Sequence, residues 1–420
     1  MATLFFYLIS SFLILNFLLE NGLTLLNYFY PQKPLPDFLS KVYSQEKYEK
    51  SQAYEKAKLR FGLVVSIVQF FVVFMFYYFG GFAYVDHLVR NVSNHYLLQN
   101  LFFFGILALV SDILMLPASI YQTFILEERF GFNKTTLKVF VLDKIKAGFL
   151  VIILGGGILA LVVYIYELAG SNFWWIVWIT ISLISLLFTA FYSEIIVPLF
   201  NKQSPLEEGS LRNAIEAFAE KTGFRLNNIY TIDGSKRSTK ANAYFSGIGP
   251  KKRIVLYDTL INDLEEEELV SVLAHEIGHY KKKHTIVGIS LSIVQTGIML
   301  FILSFFISKD TEISTFLAQA VAGNNEQIKA SFYLGIIGFS LIYSPISLLF
   351  GLFLNYVSRA NEYAADSFAA KFGQAKTLSS ALIKLTVNNL SKVYPHPIYI
   401  FFYYSHPSLM QRLAGLNKTE

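Results

Sequence analysis

Seven apolar stretches, each about 20 residues long, punctuate the 420-residue chain at 4–26, 61–85, 101–120, 147–168, 173–196, 285–307 and 332–357. A helix of that length crosses the roughly 30 Å hydrocarbon core of a bilayer, and in lipid only helices and closed barrels satisfy every backbone polar group. No other feature constrains the fold as tightly. The expected class is mostly α, a seven-transmembrane helical bundle. Only 15% of the residues are charged, against about 25% in a typical soluble domain, which disfavours a water-soluble globule. The 40 Phe and 26 Tyr exclude a disordered chain. There is no cysteine, which removes disulfides, cysteine-ligated zinc, iron–sulfur clusters and thiol nucleophiles together. Any metal is therefore held by His, Asp or Glu.

The basic residues orient the bundle. Of 35 Lys and Arg, 32 fall in connections 27–60, 121–146 and 197–284 and in the tail after residue 357, and 3 fall in the alternate connections. Excess positive charge marks the cytoplasmic side. The N-terminus is thus expected outside, and the long polar segments and the C-terminus in the cytoplasm. The first stretch lacks a basic leader and a small-residue cleavage pattern, so it reads as a retained span. Asn16, Glu20 and Asp112 interrupt apolar stretches and are expected to face protein or water, Glu20 equally by lying at the wetted interface.

Four blocks follow: 1–199 with the first five spans, a polar segment 200–284, spans six and seven at 285–357, and a polar tail 358–420. The middle segment predicts an amphipathic helix at 207–222 and strands at 229–232 and 253–258, the second after a Gly249-Pro250 turn. With the tail it should form one domain, a small β-sheet plus helices. A helix is predicted over 264–280, capped by Asn262 or Asp263, with acids in its first turn where the helix dipole favours them. It carries His275-Glu276-Ile277-Gly278-His279. Histidines at i and i+4 share a helix face and reach one metal ion, while the intervening Glu lies beside them to act on water, as in zinc proteases. A catalytic zinc takes a third protein ligand. After the seventh span, Arg359–Asp366 (RANEYAAD) puts Glu362 and Asp366 on one helical face. They could serve as ligand and as acceptor for a ligand imidazole, or form a solvated face.

At this point the chain resembles the type I CAAX prenyl proteases, integral-membrane zinc metalloproteases. The resemblance is carried by EKYEKSQAYEKAKLRF at 46–61, EERFGFNKT at 127–135, NAYFSG at 242–247, the HEIGH helix, NEYAAD at 361–366 and His406-Pro407. It implies His275, His279 and Glu362 as ligands of one zinc ion and Glu276 as general base. It further implies Asp366 as partner of a zinc histidine, Asn242 as a binder of substrate backbone beside an edge strand, and His406 as a stabiliser of the tetrahedral intermediate. Arg412 matches the arginine of an H-P-x-x-x-E-R ending, in which Gln411 replaces the usual Glu. From the residues alone, Asn242 is equally an ordinary turn residue and His406 a capping or surface histidine. His284 reads as interfacial, and His87 and His95 lie on the outer side.

The expected activity is a zinc metalloendopeptidase that removes the last three residues from an isoprenylated CAAX C-terminus. The alternatives are a broad-specificity membrane quality-control protease and, from another class, a non-hydrolytic seven-span receptor or transporter. The expected partners are a peptide or protein substrate, isoprenylated on the first reading, and the lipid bilayer. No nucleic acid partner is expected, and the chain is expected as a monomer. The missing cysteine and the absence of an ER-retrieval ending favour a bacterial inner membrane over the endoplasmic reticulum.

Overall fold

The computed structural model describes residues 1–31, 33–40, 42–224, 229–247, 253–308 and 311–418, so the Gly249-Pro250 turn lies outside the described residues. Among these, six helices are long and apolar enough to span a membrane: Ala2–Phe29, Gln45–Tyr78, Tyr96–Phe130, Leu137–Phe200, His284–Ile307 and Phe332–Lys371. The seven-span expectation divides one of them. Leu137–Phe200 covers 64 residues, which as one straight helix would reach about 96 Å, some three times a bilayer core. Gly170 breaks the run, with φ 53° and ψ −124°, a backbone that glycine adopts without a Cβ clash. Lys146 Nζ then donates to the Leu199 carbonyl at 2.7 Å, so the two arms fold back as a hairpin, and Val163, Tyr166, Phe173 and Val177 share one buried cluster. We label α1 Ala2–Phe29, α2 Gln45–Tyr78, α3 Tyr96–Tyr121, α4 Gly156–Ala169 and α5 Phe173–Ile195.

The spans bury little against one another. The most apolar window of α2 buries none of its residues inside the protein, and no spanning window exceeds 17%. Lipid solvates apolar side chains as well as a protein core does, so such helices need no tight packing. The three polar residues that interrupt the apolar stretches have partners: Asn16 donates to Glu20 at 3.0 Å and Lys144 pairs with Asp112 at 2.6 Å. Glu20 also lines a cavity of about 900 Å³ between α1, α2 and the C-terminal segment.

The polar segments build a second body. Its sheet has four strands, β1 Gln203–Pro205, β2 Ile229–Ile232, β3 Ala243–Ser246 and β4 Arg253–Tyr257, in the order β1-β2-β4-β3. β2 and β4 are parallel, in the register Ile229↔Ile254, and β3 is an antiparallel edge strand. β2 and β4 were expected from the pattern, β3 only as the edge strand implied beside Asn242, and β1, three residues long, is too short to show an alternating pattern. Helices α6 Ser210–Lys221 and α7 Glu266–Lys281 cover the sheet.

α8 His284–Ile307 and the 40-residue α9 Phe332–Lys371 return to the membrane, and α10 Ala375–Asn388 and α11 Leu409–Leu416 complete the body. A single buried cluster draws Ile215, Leu256, Leu273 and Ile277 from one segment and Ala369, Leu378 and Leu416 from the other. Two stretches of chain separated by two spans thus share one core.

α7 starts differently from expectation. Asn262 and Asp263 end a separate short helix, Asp258–Asp263. The cap is Glu265, whose amide donates to Glu268 at 2.9 Å in a capping box, with Glu266–Glu268 in the first turn. Glu268 is 5% exposed and is held from a third helix by Lys384 at 2.7 Å and Ser380 at 2.7 Å. Burial opposes its charge, but Lys384, Ser380 and the Glu265 amide together hold the carboxyl below its ordinary value.

Candidate metal centre

Two helices crossing at close range make the site. α7 presents His275 and His279, and α9 continues unbroken from its membrane span to present Glu362 and Asp366. Gly278 sets the crossing distance: a Cβ there would lie 3.1 Å from both Cα and O of Ala365 and 3.1 Å from Cβ of Phe368. Those neighbours are largely backbone and cannot swing aside. The glycine of the HEIGH segment is therefore what lets Glu362 approach the histidines.

The geometry suits a metal. Nε2 of His275 and Nε2 of His279 are 3.0 Å apart, Glu362 Oε1 is 3.2 Å from His279 Nε2, and Glu362 Oε2 is 3.5 Å from His275 Nε2. A tetrahedral zinc with bonds of about 2.0–2.1 Å requires donors separated by about 3.3 Å. Glu362 Oε2 is buried without a hydrogen-bond partner among the described residues, an arrangement that a cation would satisfy. The donor set of two imidazoles and one carboxylate is one that zinc takes in hydrolases. Burial opposes charge on His275, yet Asp366 and Glu362 outweigh it and push the imidazole up to about 9. The same contacts, with Arg412, hold the Glu362 and Asp366 carboxyls well below the usual carboxylate range against their own burial. Two ionised carboxylates thus stand beside His275, a setting that favours a cation there.

Around the donors, Asp366 Oδ1 meets His275 Nδ1 at 2.8 Å, leaving Nε2 to face the centre. Arg412 donates to both Asp366 oxygens, at 2.9 and 2.5 Å, and its NH1 lies 3.5 Å from Glu362. Gln411 does not pair with the cluster; it closes a capping box with Ser408, at 2.9 Å, that starts α11 and so presents Arg412. His406 Nε2 is 3.3 Å from Glu362 Oε1 with 64% of its side chain exposed, and Ser405 Oγ lies 2.9 Å from its Nδ1. Glu276 and Asn242 line the same cavity of about 700 Å³ as the histidines. Asn242 is exposed at the mouth of edge strand β3, its carbonyl accepting from Tyr257 N at 3.1 Å. All eight residues expected in the site thus converge on one place.

A ninth was missed. His284, expected to be interfacial, lines this cavity with Nδ1 2.9 Å from Nδ1 of His279. The signal was its position five residues after His279, but it becomes meaningful only with the turn between the helices. The 700 and 900 Å³ cavities meet at Leu382, His406 and Arg412, and the donor cluster lines the smaller one.

The segment leading to Asn242 is also fastened to the membrane body. Residues 132–135 pair with 237–239 through Thr239 N to Phe132 O at 3.1 Å and Lys134 N to Arg237 O at 3.0 Å. Lys240 Nζ binds Glu127 at 2.8 Å and the Tyr54 hydroxyl at 2.7 Å, with Tyr54 donating to Glu127 at 2.6 Å.

Comparison with known proteins gives matches over nearly the whole chain. The family model described as CAAX prenyl protease N-terminal, five membrane helices, matches residues 25–202, and that of Peptidase family M48 matches 205–420. The chain is 37% identical to the CAAX prenyl protease 1 homolog of Arabidopsis thaliana, covering 99% of this chain and 98% of that protein. It is 34% identical to CAAX prenyl protease 1 of Saccharomyces cerevisiae, over 98% and 94%, and 32% identical to the human homolog, over 91% and 88%. The crystal structure of S. mikatae Ste24p superposes with a TM-score of 0.90 at 34% identity, covering 98% of each chain.

Proposed function

The chain belongs to the CAAX prenyl protease family of M48 metallopeptidases, multi-pass membrane enzymes that cleave peptides, and on that premise we propose that it removes the C-terminal three residues from isoprenylated CAAX peptides. One observation carries the catalytic part: the donors of His275, His279 and Glu362, separated by 3.0 to 3.5 Å within a full-length likeness to proteins named for that activity. In this reading those three residues hold one zinc ion per chain. When bound, zinc supplies Lewis acidity that polarises the scissile carbonyl and acidifies the attacking water. Glu276, beside the ligands on α7, takes the proton from that water and delivers it to the leaving amine. His406 donates to the developing oxyanion. Asp366 fixes the tautomer of His275, and Arg412 keeps Asp366 ionised and oriented. Asn242, at the free edge of β3, binds substrate backbone as an added strand would.

The division into membrane blocks 1–199 and 285–357 and a catalytic body from 200–284 and 358–420 belongs to the same reading, supported by the shared core. So does the topology, with the N-terminus outside and the site and C-terminus in the cytoplasm. The relatives named above are eukaryotic, which supports the endoplasmic reticulum membrane in place of the bacterial inner membrane that the sequence favours. The chain acts as a monomer in this account. A farnesylated CAAX peptide and its unprenylated twin test the substrate: the farnesylated one is cleaved faster. Equal rates would favour a broad-specificity protease instead.

A further inference from the structure

The two histidines on α7 are supported by different chemistry. His275 turns Nδ1 to a carboxylate, Asp366, which Arg412 also grips. His279 turns Nδ1 to a third imidazole: His284 Nδ1 lies at 2.9 Å, with the ring centroids 5.0 Å apart and the planes at 76°. His284 is the first residue of α8, and only Lys282 and Lys283 separate the two helices. Lys283 adopts φ 59° and ψ 28°, a left-handed conformation uncommon for a residue with a Cβ. That turn folds the start of α8 back against the last turn of α7, and the side chain of His284 meets the ring of His279.

An imidazole that ligates through Nε2 carries its proton on Nδ1 and needs an acceptor there, which fixes both tautomer and ring orientation. A neutral His284 with its own proton on Nε2 offers such an acceptor at Nδ1. We infer that His284 is the positioning residue of His279, accepting its Nδ1 proton and so holding Nε2 toward Glu362 and the metal, an inference that rests on the ligand assignment proposed above. The centre is then asymmetric, with one histidine backed by a charged carboxylate–arginine pair and the other by a neutral ring.

Two full-length variants test this. His284→Leu keeps bulk but removes the acceptor, whereas His284→Asn keeps an acceptor at the same distance from the backbone. With zinc-loaded protein and excess EDTA, the Leu variant should lose zinc about 10–100 times faster than the parent, and the Asn variant within about threefold of it. Parent-like zinc retention by the Leu variant, or equal loss in both variants, would overturn the inference, the second outcome indicating packing alone. His279→Ala and Glu362→Ala serve as controls. If these retain zinc, the ligand assignment itself fails; if they lose it while His284→Leu does not, only the role of His284 falls.

Discussion

The two halves of this molecule obey opposite packing rules. Helix α7, in the catalytic body, buries nine of its sixteen residues, while the apolar window of α2, in the membrane body, buries none. Each is stable in its own solvent. α7 faces water and must hide Leu269, Leu273 and Ile277, whereas α2 is solvated by lipid and can leave its apolar side chains outward. The donor atoms sit in the tightly packed half and the large cavities open toward the loose half. Rigidity is thus placed where the donor atoms keep fixed distances, and open space where the two bodies meet.

Substitutions should expose that contrast. Leu273→Ala, at 1% exposure, is expected to lower stability by about 2–5 kcal/mol, measured by thermal or denaturant unfolding in detergent. Ile152→Ala, at 72% exposure on a lipid face, should change it by less than about 0.5 kcal/mol. Comparable losses would mean that the spans pack as tightly as the catalytic body. Next in size, Gly278→Ala forces α7 from α9 and should cost about 1–3 kcal/mol, with weaker zinc retention. Unchanged stability and retention would remove the close crossing as the determinant of the site.

A smaller effect follows pH. The lowered pKa of Glu268 means that its stabilising contribution is present above its ordinary value of 4.5 and is lost as pH falls through the lower folded value. The parent should therefore lose thermal stability as the medium is acidified below pH 4.5, and Glu268→Gln should flatten that slope. An identical slope in the variant would assign acid unfolding to other groups. Smallest is the fastening of the substrate edge: Lys240→Met should raise KM about fivefold, the worth of roughly one hydrogen bond, and leave kcat nearly unchanged. A fall in kcat alone would show that Lys240 acts on the chemistry instead.

What the sequence made legible follows the range of the physics involved. Spans and the His275–His279 pair are local signals, one set by bilayer thickness and the other by helix periodicity, and both were readable directly. Glu362, His406 and Arg412 lie 83 or more residues beyond His279 in the sequence, so helical spacing offered Glu362 only as one candidate ligand, and likeness to a family assigned all three to the site. His284 escaped because its role depends on a left-handed lysine, which sequence does not announce. The cap of α7 was misplaced for a related reason: Asn262 and Asp263 are the stronger intrinsic caps, but they were already used to end the preceding turn, and Glu265 with Glu268 took over. The strand β1 was missed because three residues carry no period.

The central claim is that His275, His279 and Glu362 hold a catalytic metal and that Glu276 takes the proton from the attacking water. Zinc content and peptide cleavage measured together on purified Glu276→Gln test it most directly. The account predicts about one zinc per chain and cleavage reduced about 100- to 10,000-fold; full cleavage with zinc retained would contradict it.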